Sequence, residues 1–479
     1  MAQPDDGKIT RRTWGIAALG AAAALLPALA LRGFTVDDAL ISARYAAHLA
    51  RGLGYRFNAF GASTDGVTPL GWPLVLAPFA GSGPLAALLA AKILGVIAWT
   101  IAASVLAVAI DRVPGKRARY AALLLLAASA PLGAWSVAGM ETGLVIALAA
   151  LAASTGRLGH ARASATLAGL SAALRPEMIP WAAVIAAAPP PAGSPAAARP
   201  PWDRALRLAL ALLPPLAVAL TRLAVFGRPA PLSVLAKPSD SLLGARYALA
   251  CFLLTGPLAL LAPLAWRRLD GYARVLLLSI GVHFTAIAVA GGDWMPLSRL
   301  VAPILPAVIL VAAEIAAVAD LRATALRIAL ALAGELFQLL KVGPVAAHVG
   351  EARVQLIEAL RTPLAGALVV AALDIGWLGA ATDATIVDLA GLTDPAIAVL
   401  PGGHTSKAIP AAMLDARGVD TIVLLLSEGE LLRSPWTASQ FARVVEMRIA
   451  RIPGLEEEFQ VEAESAMPHL RYVVLKRTK

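Results

Sequence analysis

Two adjacent aspartates, Asp37 and Asp38, open a segment whose next polar side chains of note are Arg44, Tyr45 and His48. Read as a helix from Asp37 to Arg51 that stops at Gly52, the segment places Asp37, Ile41, Arg44, Tyr45 and His48 at i, i+4, i+7, i+8 and i+11, on one face. Ala39, Ala43, Ala46, Ala47 and Ala50 fill much of the remainder. An acid, a cation, a phenol and an imidazole along one stripe suit group transfer from a phosphate ester. A carboxylate can take the proton of an attacking hydroxyl, and cations can stabilise the departing phosphate. Partial desolvation at a membrane interface raises a carboxylate towards the base role. Helix capping competes for the same acids. Thr35-Val-Asp-Asp38 fits a capping box, and acids in a first turn complement the helix dipole. Capping accounts for one acid, with Asp38 as the structural member, and leaves Asp37 as the candidate base.

The elements that must position these residues lie in a membrane. Of the 479 residues 59% are hydrophobic and 15% charged, and the mean hydropathy is +0.73, whereas a soluble domain carries about a quarter charged residues. Apolar runs reach the length of about 18 residues or more that crosses a bilayer. Candidate spans cover about 14–32, 84–110, 119–138, 141–155, 163–175, 178–188, 206–226, 246–266, 274–290, 299–319 and 323–340, eleven in all. The first follows Lys8, Arg11 and Arg12 and is long for a signal peptide; it reads as an uncleaved span, although Ala28-Leu29-Ala30 could serve as a cleavage site.

The net charge of +10 fits the positive-inside rule better than nucleic-acid binding. Arg112 with Lys116, Arg117 and Arg119, Arg157 with Arg162, Arg204 with Arg207, and Arg267-Arg268 with Arg274 fall on alternate gaps, which puts the N-terminus inside. The other face then receives Asp37-Asp38, Gly139-Met140-Glu141-Thr142, Arg175-Pro176-Glu177, Lys237 and Gly291-Gly292-Asp293-Trp294, with Arg299 close by. Arg44, Arg175, Lys237 and Arg299 could hold a lipid phosphate; snorkelling to headgroups is the competing account of each. Glu141 sits at a span end, where surface exposure alone explains it. Glu177 and Arg175 could clasp each other across Pro176. Asp293 follows two glycines that let backbone approach a ligand.

These patterns divide the chain into a membrane core over 1–340, with the first extracytoplasmic loop at 33–83, and a C-terminal α/β domain over 341–479 on the outer side. Runs Ala367–Leu373, Thr385–Leu389, Thr421–Leu426 and Tyr472–Lys476 read as strands, and Ser406–Arg417 as helical. Ala188 to Pro201 reads as a linker. In the tail, His404 and Lys407 lie near Asp388 and Asp394 and either bind an acceptor or cap a helix. His283, within an apolar run, reads as a packed interior histidine rather than a metal ligand. Cys251 stands alone and forms no intrachain disulfide. No cluster has zinc spacing and no glycine-rich nucleotide loop follows a strand. The paired acids could take a divalent cation, yet the neighbouring basic residues can neutralise phosphate without one.

The runs Asp37-Asp38-Ala-Leu-Ile-Ser-Ala-Arg44-Tyr45, Gly52-Leu-Gly54-Tyr-Arg-Phe-Asn58 and Asp65-Gly66-Val-Thr68-Pro69-Leu-Gly-Trp72 resemble the first loop of GT-C glycosyltransferases. Gly139-Met-Glu141-Thr142, Leu174-Arg175-Pro176-Glu177, Pro231 through Lys237, Gly291-Gly292-Asp293-Trp294-Met295 before Arg299, and Asp374-Ile-Gly376 with Asp388-Leu-Ala-Gly391-Leu-Thr-Asp394 extend the likeness in order. Within that superfamily the chain is most similar to the mycobacterial terminal β-(1→2)-arabinofuranosyltransferase family. The resemblance implies an all-α polytopic GT-C core in a bacterial inner membrane and inverting transfer of an arabinofuranose-type or similar monosaccharide. The donor would be a polyprenyl-phosphate monosaccharide, the acceptor an envelope glycan, lipid or protein, and Asp37 or Asp38 the base. His48 and Gly71 depart from the family pattern and the tail is shorter, which leaves the acceptor open. A transporter or flippase of lipid-linked sugars would show internal symmetry and ionisable groups near the midplane; here no repeat is visible and the candidates gather at one face. A non-catalytic envelope-assembly scaffold is the third reading.

Overall fold

The computed structural model describes residues 10–190, 200–433, 435–467 and 470–478. Its helices, in chain order, begin with α1 (Arg11–Ala30), α2 (Asp37–Ala50), α3 (Trp72–Leu76), α4 (Pro84–Asp111), α5 (Lys116–Ala128), α6 (Ala130–Val137) and α7 (Thr142–Arg157). They continue with α8 (Ala161–Leu174), α9 (Ile179–Ala187), α10 (Trp202–Phe226), α11 (Leu232–Ala236), α12 (Ser241–Leu254), α13 (Gly271–Val289), α14 (Leu305–Val318) and α15 (Leu321–Arg361). The C-terminal part alternates β1 (Val369–Ala372), α16 (Ile375–Ala381), β2 (Thr385–Asp388), α17 (Pro395–Ala398), α18 (Ala411–Ala416) and β3 (Thr421–Leu425), then α19 (Val444–Ala450), α20 (Leu455–Glu458), β4 (Phe459–Met467) and β5 (Leu470–Arg477).

Among the described residues five helices are long and apolar enough to cross a membrane: α1, α4, α10, α13 and α15. The pair α5 and α6, bent by 49° at Ser129, makes a sixth if it is one span. The segments expected as spans at 141–155, 163–175, 178–188 and 299–319 are helices of 16, 14, 9 and 14 residues. The expected span 246–266 is broken. Its helix ends at Leu254, and Gly256 at φ +100° with Pro257 and Pro263 turns the chain into two short 3-10 segments. In contrast, α15 runs on for 41 residues, through Pro344 to Arg361, about 60 Å at 1.5 Å per residue. Most of the expected linker, 191–199, lies outside the described residues.

The chain forms two compact units. The first, residues 1–34, 92–217 and 239–347, is helical. Its helices approach closely because small residues line their crossings, the usual device where lipid offers no hydrophobic drive. A Cβ on Gly95 of α4 would sit 2.4 Å from the Ser136 carbonyl of α6, and one on Gly133 would meet Pro27 of α1 at 2.5 Å. The alanine-rich composition therefore has a packing role. Two polar residues of α15 serve the interrupted helices: the Glu335 carboxylate accepts from the Ala130 N–H at 3.1 Å, and the Gln338 amide donates to the Leu254 carbonyl at 2.7 Å.

The second unit, residues 35–91, 218–238 and 348–479, is α/β. Its five-stranded sheet has the order β2-β1-β3-β5-β4, with β1 parallel to β2 and β3, and β5 antiparallel to β3 and β4. Four of the five strands coincide with the runs expected from β-branched content. β4 was not expected, because Phe-Gln-Val-Glu-Ala-Glu alternates polar residues that read equally as helix; it carries a bulge between Val461 and Ala463. The expected helix over 406–417 is confined to α18, since Pro410 can only precede a first turn.

Replacing Gly95 by alanine is expected to force α4 away from α6, with a loss on the order of 1–3 kcal/mol; a lowered thermal unfolding midpoint in detergent, with Gly15→Ala in open space as the neutral control, checks this.

Candidate functional site

In the second unit, the first half of α2 holds both ends of α16. The Asp37 carboxylate accepts the N–H groups of Gly376 at 2.9 Å and Trp377 at 2.8 Å, the second and third residues of α16. It thus does for α16 what a side chain at the preceding position normally does. At the other end the Arg44 guanidinium donates to the carbonyls of Gly379, Thr382 and Ala384 at 2.9–3.0 Å and to Phe57 at 2.8 Å. Asp37 and Arg44 are seven residues apart, about 10.5 Å of helix, and α16 is itself seven residues long. That first half of α2 matches α16 in length, runs in the same direction, and brings an acid to the positive end and a cation to the negative end of α16. Gly376 and Gly379 allow the approach: a Cβ on them would stand 2.0 Å from the Asp37 carbonyl and 2.7 Å from Arg44 Cδ.

This gives Asp37 a structural role that local sequence did not assign to it. Helix α2 begins after Val36, whose side chain cannot cap it. The acid committed to a helix terminus is Asp37, and the terminus belongs to α16. The tie reaches across more than 330 residues of sequence, beyond any local motif.

Asp374, the residue before α16, turns its carboxylate elsewhere. Arg443 grips it through two hydrogen bonds at 2.8 and 2.5 Å, and the Tyr472 hydroxyl donates to it. Arg353 of α15 reaches the Tyr472 hydroxyl at 3.4 Å and acts on both carboxylates. Asp374 is held below the usual carboxylate range by the Arg443 guanidinium, against the opposing effect of burial. Asp37 is pushed up to about 7, chiefly by burial and next by the Asp374 charge. Of the two acids, Asp37 is the one that carries a proton near neutrality, because Asp374 owns the cation.

The rest of the expected stripe is also engaged inside this unit. Tyr45 donates to the Thr64 carbonyl at 2.8 Å and accepts from the Gly66 N–H at 3.1 Å. His48 Nδ1 bonds the Arg56 carbonyl at 2.9 Å, and burial pushes its pKa down. Lys407 is buried and donates to the carbonyls of Ala398 and Leu400 at 2.7 and 3.0 Å, so it closes the end of α17. His404 lies half-buried in the preceding turn. Asp388 accepts from the N–H groups of Ala390, Gly391 and Thr393 and orders the loop after β2. Asp394 caps α17 and pairs with Arg417. Lys237, half-buried just past α11, donates its backbone N–H to the Ser233 carbonyl at 3.0 Å, while its side chain makes no hydrogen bond or ion pair among the described residues. An ion pair that sequence reasoning missed lies nearby: Arg222 meets Asp65 at 2.7 Å, both almost wholly buried, and also donates to Val67 and Thr68. A lone arginine in the apolar end of α10 was the available signal.

The first unit gathers the other candidates. Arg175, 4% exposed, meets Glu141 at 2.7 Å, Glu177 at 3.2 Å and the Thr142 hydroxyl at 2.8 Å, and the Asp293 carboxylate also acts on it. Asp293 in turn pairs with Arg299 at 2.5 Å. Glu141 is 1% exposed, so span-end exposure does not account for it. The loop that presents Asp293 and Arg299 has left-handed backbone at Gly291 and Gly292 and, against the preference of side-chain-bearing residues, at Leu297 (φ 57°) and Ser298 (φ 53°). Three side chains, of which Trp135 and His283 are buried, hold it there. Trp135 donates to the Leu297 carbonyl at 2.7 Å, His283 Nε2 to the Leu300 carbonyl at 2.7 Å, and the Tyr247 hydroxyl accepts from the Leu300 N–H at 3.1 Å. Segments separated by up to 158 positions, Glu141 to Arg299, thus form one charged cluster of three carboxylates and two guanidinium groups. Its net charge of −1 suits hydroxyl-rich ligands better than phosphate. Among the described residues no group of three or more His, Cys, Asp or Glu side chains is arranged to hold a metal ion.

Residues 346–465, about a quarter of the chain, match the model of a family described as a domain of unknown function, DUF8728. No curated protein matches the chain, and no solved structure does.

The Asp37 carboxyl sets a pH dependence with a definite sign. Its folded-state pKa, about 7, exceeds the ordinary aspartate value of 3.8, so the folded state binds more protons between those limits. Its contribution is complete below about pH 4, declines as pH rises, and is gone above pH 7, with a slope of at most about 1.4 kcal/mol per pH unit for one proton. Thermal unfolding followed from pH 5 to 8 is expected to show this decline in wild type and a flatter profile in Asp37→Asn.

Proposed function

We propose that this chain is a membrane glycosyltransferase of the GT-C type, with about eleven spans and its first loop and C-terminal domain outside the cytoplasm. In this reading it transfers a monosaccharide, arabinofuranose or a similar sugar, from a polyprenyl phosphate to an envelope glycan, lipid or protein acceptor. The observation that carries the reading is the convergence of Glu141, Arg175, Glu177, Asp293 and Arg299, from three separated loops, into one buried cluster. A membrane protein retains so many ionisable groups in one place for a functional reason by default, and the strained Leu297-Ser298 backbone beside them is the kind of feature found at ligand sites.

The chemistry is a single displacement. The acceptor hydroxyl loses its proton to a carboxylate, its oxygen bonds the anomeric carbon, and the bond from that carbon to the phosphate oxygen breaks. The electron pair leaves with the polyprenyl phosphate, and attack from the opposite side inverts the anomeric centre. Asp38 is the proposed base. Asp37 has an apt pKa, but both its oxygens already accept helix N–H groups, and geometry takes precedence over pKa in such an assignment. Lys237, a cation without an internal partner among the described residues, suits the leaving phosphate. Arg44 and Lys407 serve the architecture instead.

Reconstitution into proteoliposomes with a panel of polyprenyl-phosphate sugars tests the reading. Wild type is expected to release polyprenyl phosphate and glycosylate an acceptor. Asp38→Asn is expected to lower kcat by about 10²–10⁴-fold, and Lys237→Ala to weaken donor use, while Asp37→Asn acts mainly on stability. Loss of transfer in a well-folded Asp37→Asn with Asp38→Asn unaffected would exchange the two roles. Absence of transfer from every lipid-phosphate sugar would remove the reading.

A further inference from the structure

Glu335 lies in α15, a helix of membrane-crossing length and apolarity. Around it the outward face of the helix exposes Leu330, Leu336, Phe337 and Leu340, yet Glu335 itself is 2% exposed. Its carboxylate accepts from the Ala130 N–H at 3.1 Å and the Ser129 hydroxyl at 3.3 Å, at the break between α5 and α6. Beside it is a cavity of about 10 Å³, about the room one water needs. Leu125 and Ser129 from α5 and its end, Thr255 and Gly256 after α12, and Leu305, Val308 and Ile309 from α14 complete the wall. None of these carries a charge or titrates, and no cationic side chain acts on Glu335 among the described residues.

A carboxylate in such a place must be neutralised. Isolated buried charge is far costlier than a buried polar group, and the usual outcome is that the acid keeps its proton. Two hydrogen bonds and the start of an eight-residue helix offset only part of that penalty. A metal cation would ask for six or more oxygens, whereas side chains here offer one carboxylate and two hydroxyls among aliphatic groups.

We propose that Glu335 is a membrane-interior proton site, an acid that stays undissociated at neutral pH and is therefore the group a hydrophobic carbodiimide would modify. In that reaction the carboxyl proton passes to one nitrogen of dicyclohexylcarbodiimide and the carboxyl oxygen bonds its central carbon; the O-acylisourea then rearranges to a stable N-acylurea, with no leaving group. The site does not depend on the glycosyltransferase reading. It sits at the start of α6, the helix whose Trp135 holds the strained loop at Leu297.

Infrared difference spectra of the full chain in bilayers, wild type minus Glu335→Gln at pH 7, test this. The expected result is loss of the carbonyl stretch of an undissociated carboxyl. Loss of carboxylate bands alone overturns the proposal, and a carboxylate band that moves when sodium replaces choline identifies a cation site instead. Labelling of wild type, which needs no variant, gives the second measurement. Dicyclohexylcarbodiimide is expected to modify the Glu335 peptide, more slowly as pH rises, while a water-soluble carbodiimide leaves it intact. Adducts confined to other acids, in detergent as well as in bilayers, overturn it.

Discussion

A short helix has more unsatisfied backbone groups than internal hydrogen bonds, and α16 depends on α2 for both of its ends. Asp37 takes two N–H groups at the start, and Arg44 takes the carbonyls of Gly379, Thr382 and Ala384 at and just beyond the finish. Remove either contact and a buried helix terminus is left without partners. The β1-α16-β2 unit, the loop after β2 and the first-loop helix are therefore one construction. Two glycines on α16 set the distance at which it can be made.

The acids of the second unit follow from that construction. With Asp37 committed to α16, Asp374 is displaced from its customary capping role and recruits Arg443 and Tyr472. Burial and the Asp374 charge together push the Asp37 carboxyl up. The cation decides which one ionises. Asp37 consequently joins architecture and titration in one side chain.

The first unit solves a different problem. Its helices are broken at Ser129 and after Leu254, and each break leaves backbone groups that lipid cannot satisfy. Glu335 and Gln338, one turn apart on α15, answer both. The unbroken helix thereby stitches two interrupted ones. At the other charged locus, Trp135, Tyr247 and His283 hold an unfavourable backbone so that Asp293 and Arg299 meet. Buried aromatic and imidazole groups act there as braces rather than as ligands.

Much of this was legible from the chain alone. Hydropathy located the helices, β-branched runs located four of five strands, and alanine with terminal acids marked α2, because each rests on local periodicity and propensity. The charged patches at 139–142, 175–177 and 291–299 could be singled out by residue type. What could not be read was the partner of each charge. Local pattern assigned Asp38 to capping and Arg44 to a ligand, whereas the fold gives Asp37 a helix more than 330 residues away and turns Arg44 onto carbonyls. Breaks at Ser129 and Gly256, and the lone acid that answers the first, were likewise invisible, since hydropathy averages over a kink. Sequence determined which segments would be helical, apolar or acidic; only tertiary structure decided which donors and acceptors would meet, because hydrogen bonds and ion pairs act over a few ångströms of space and not along the chain.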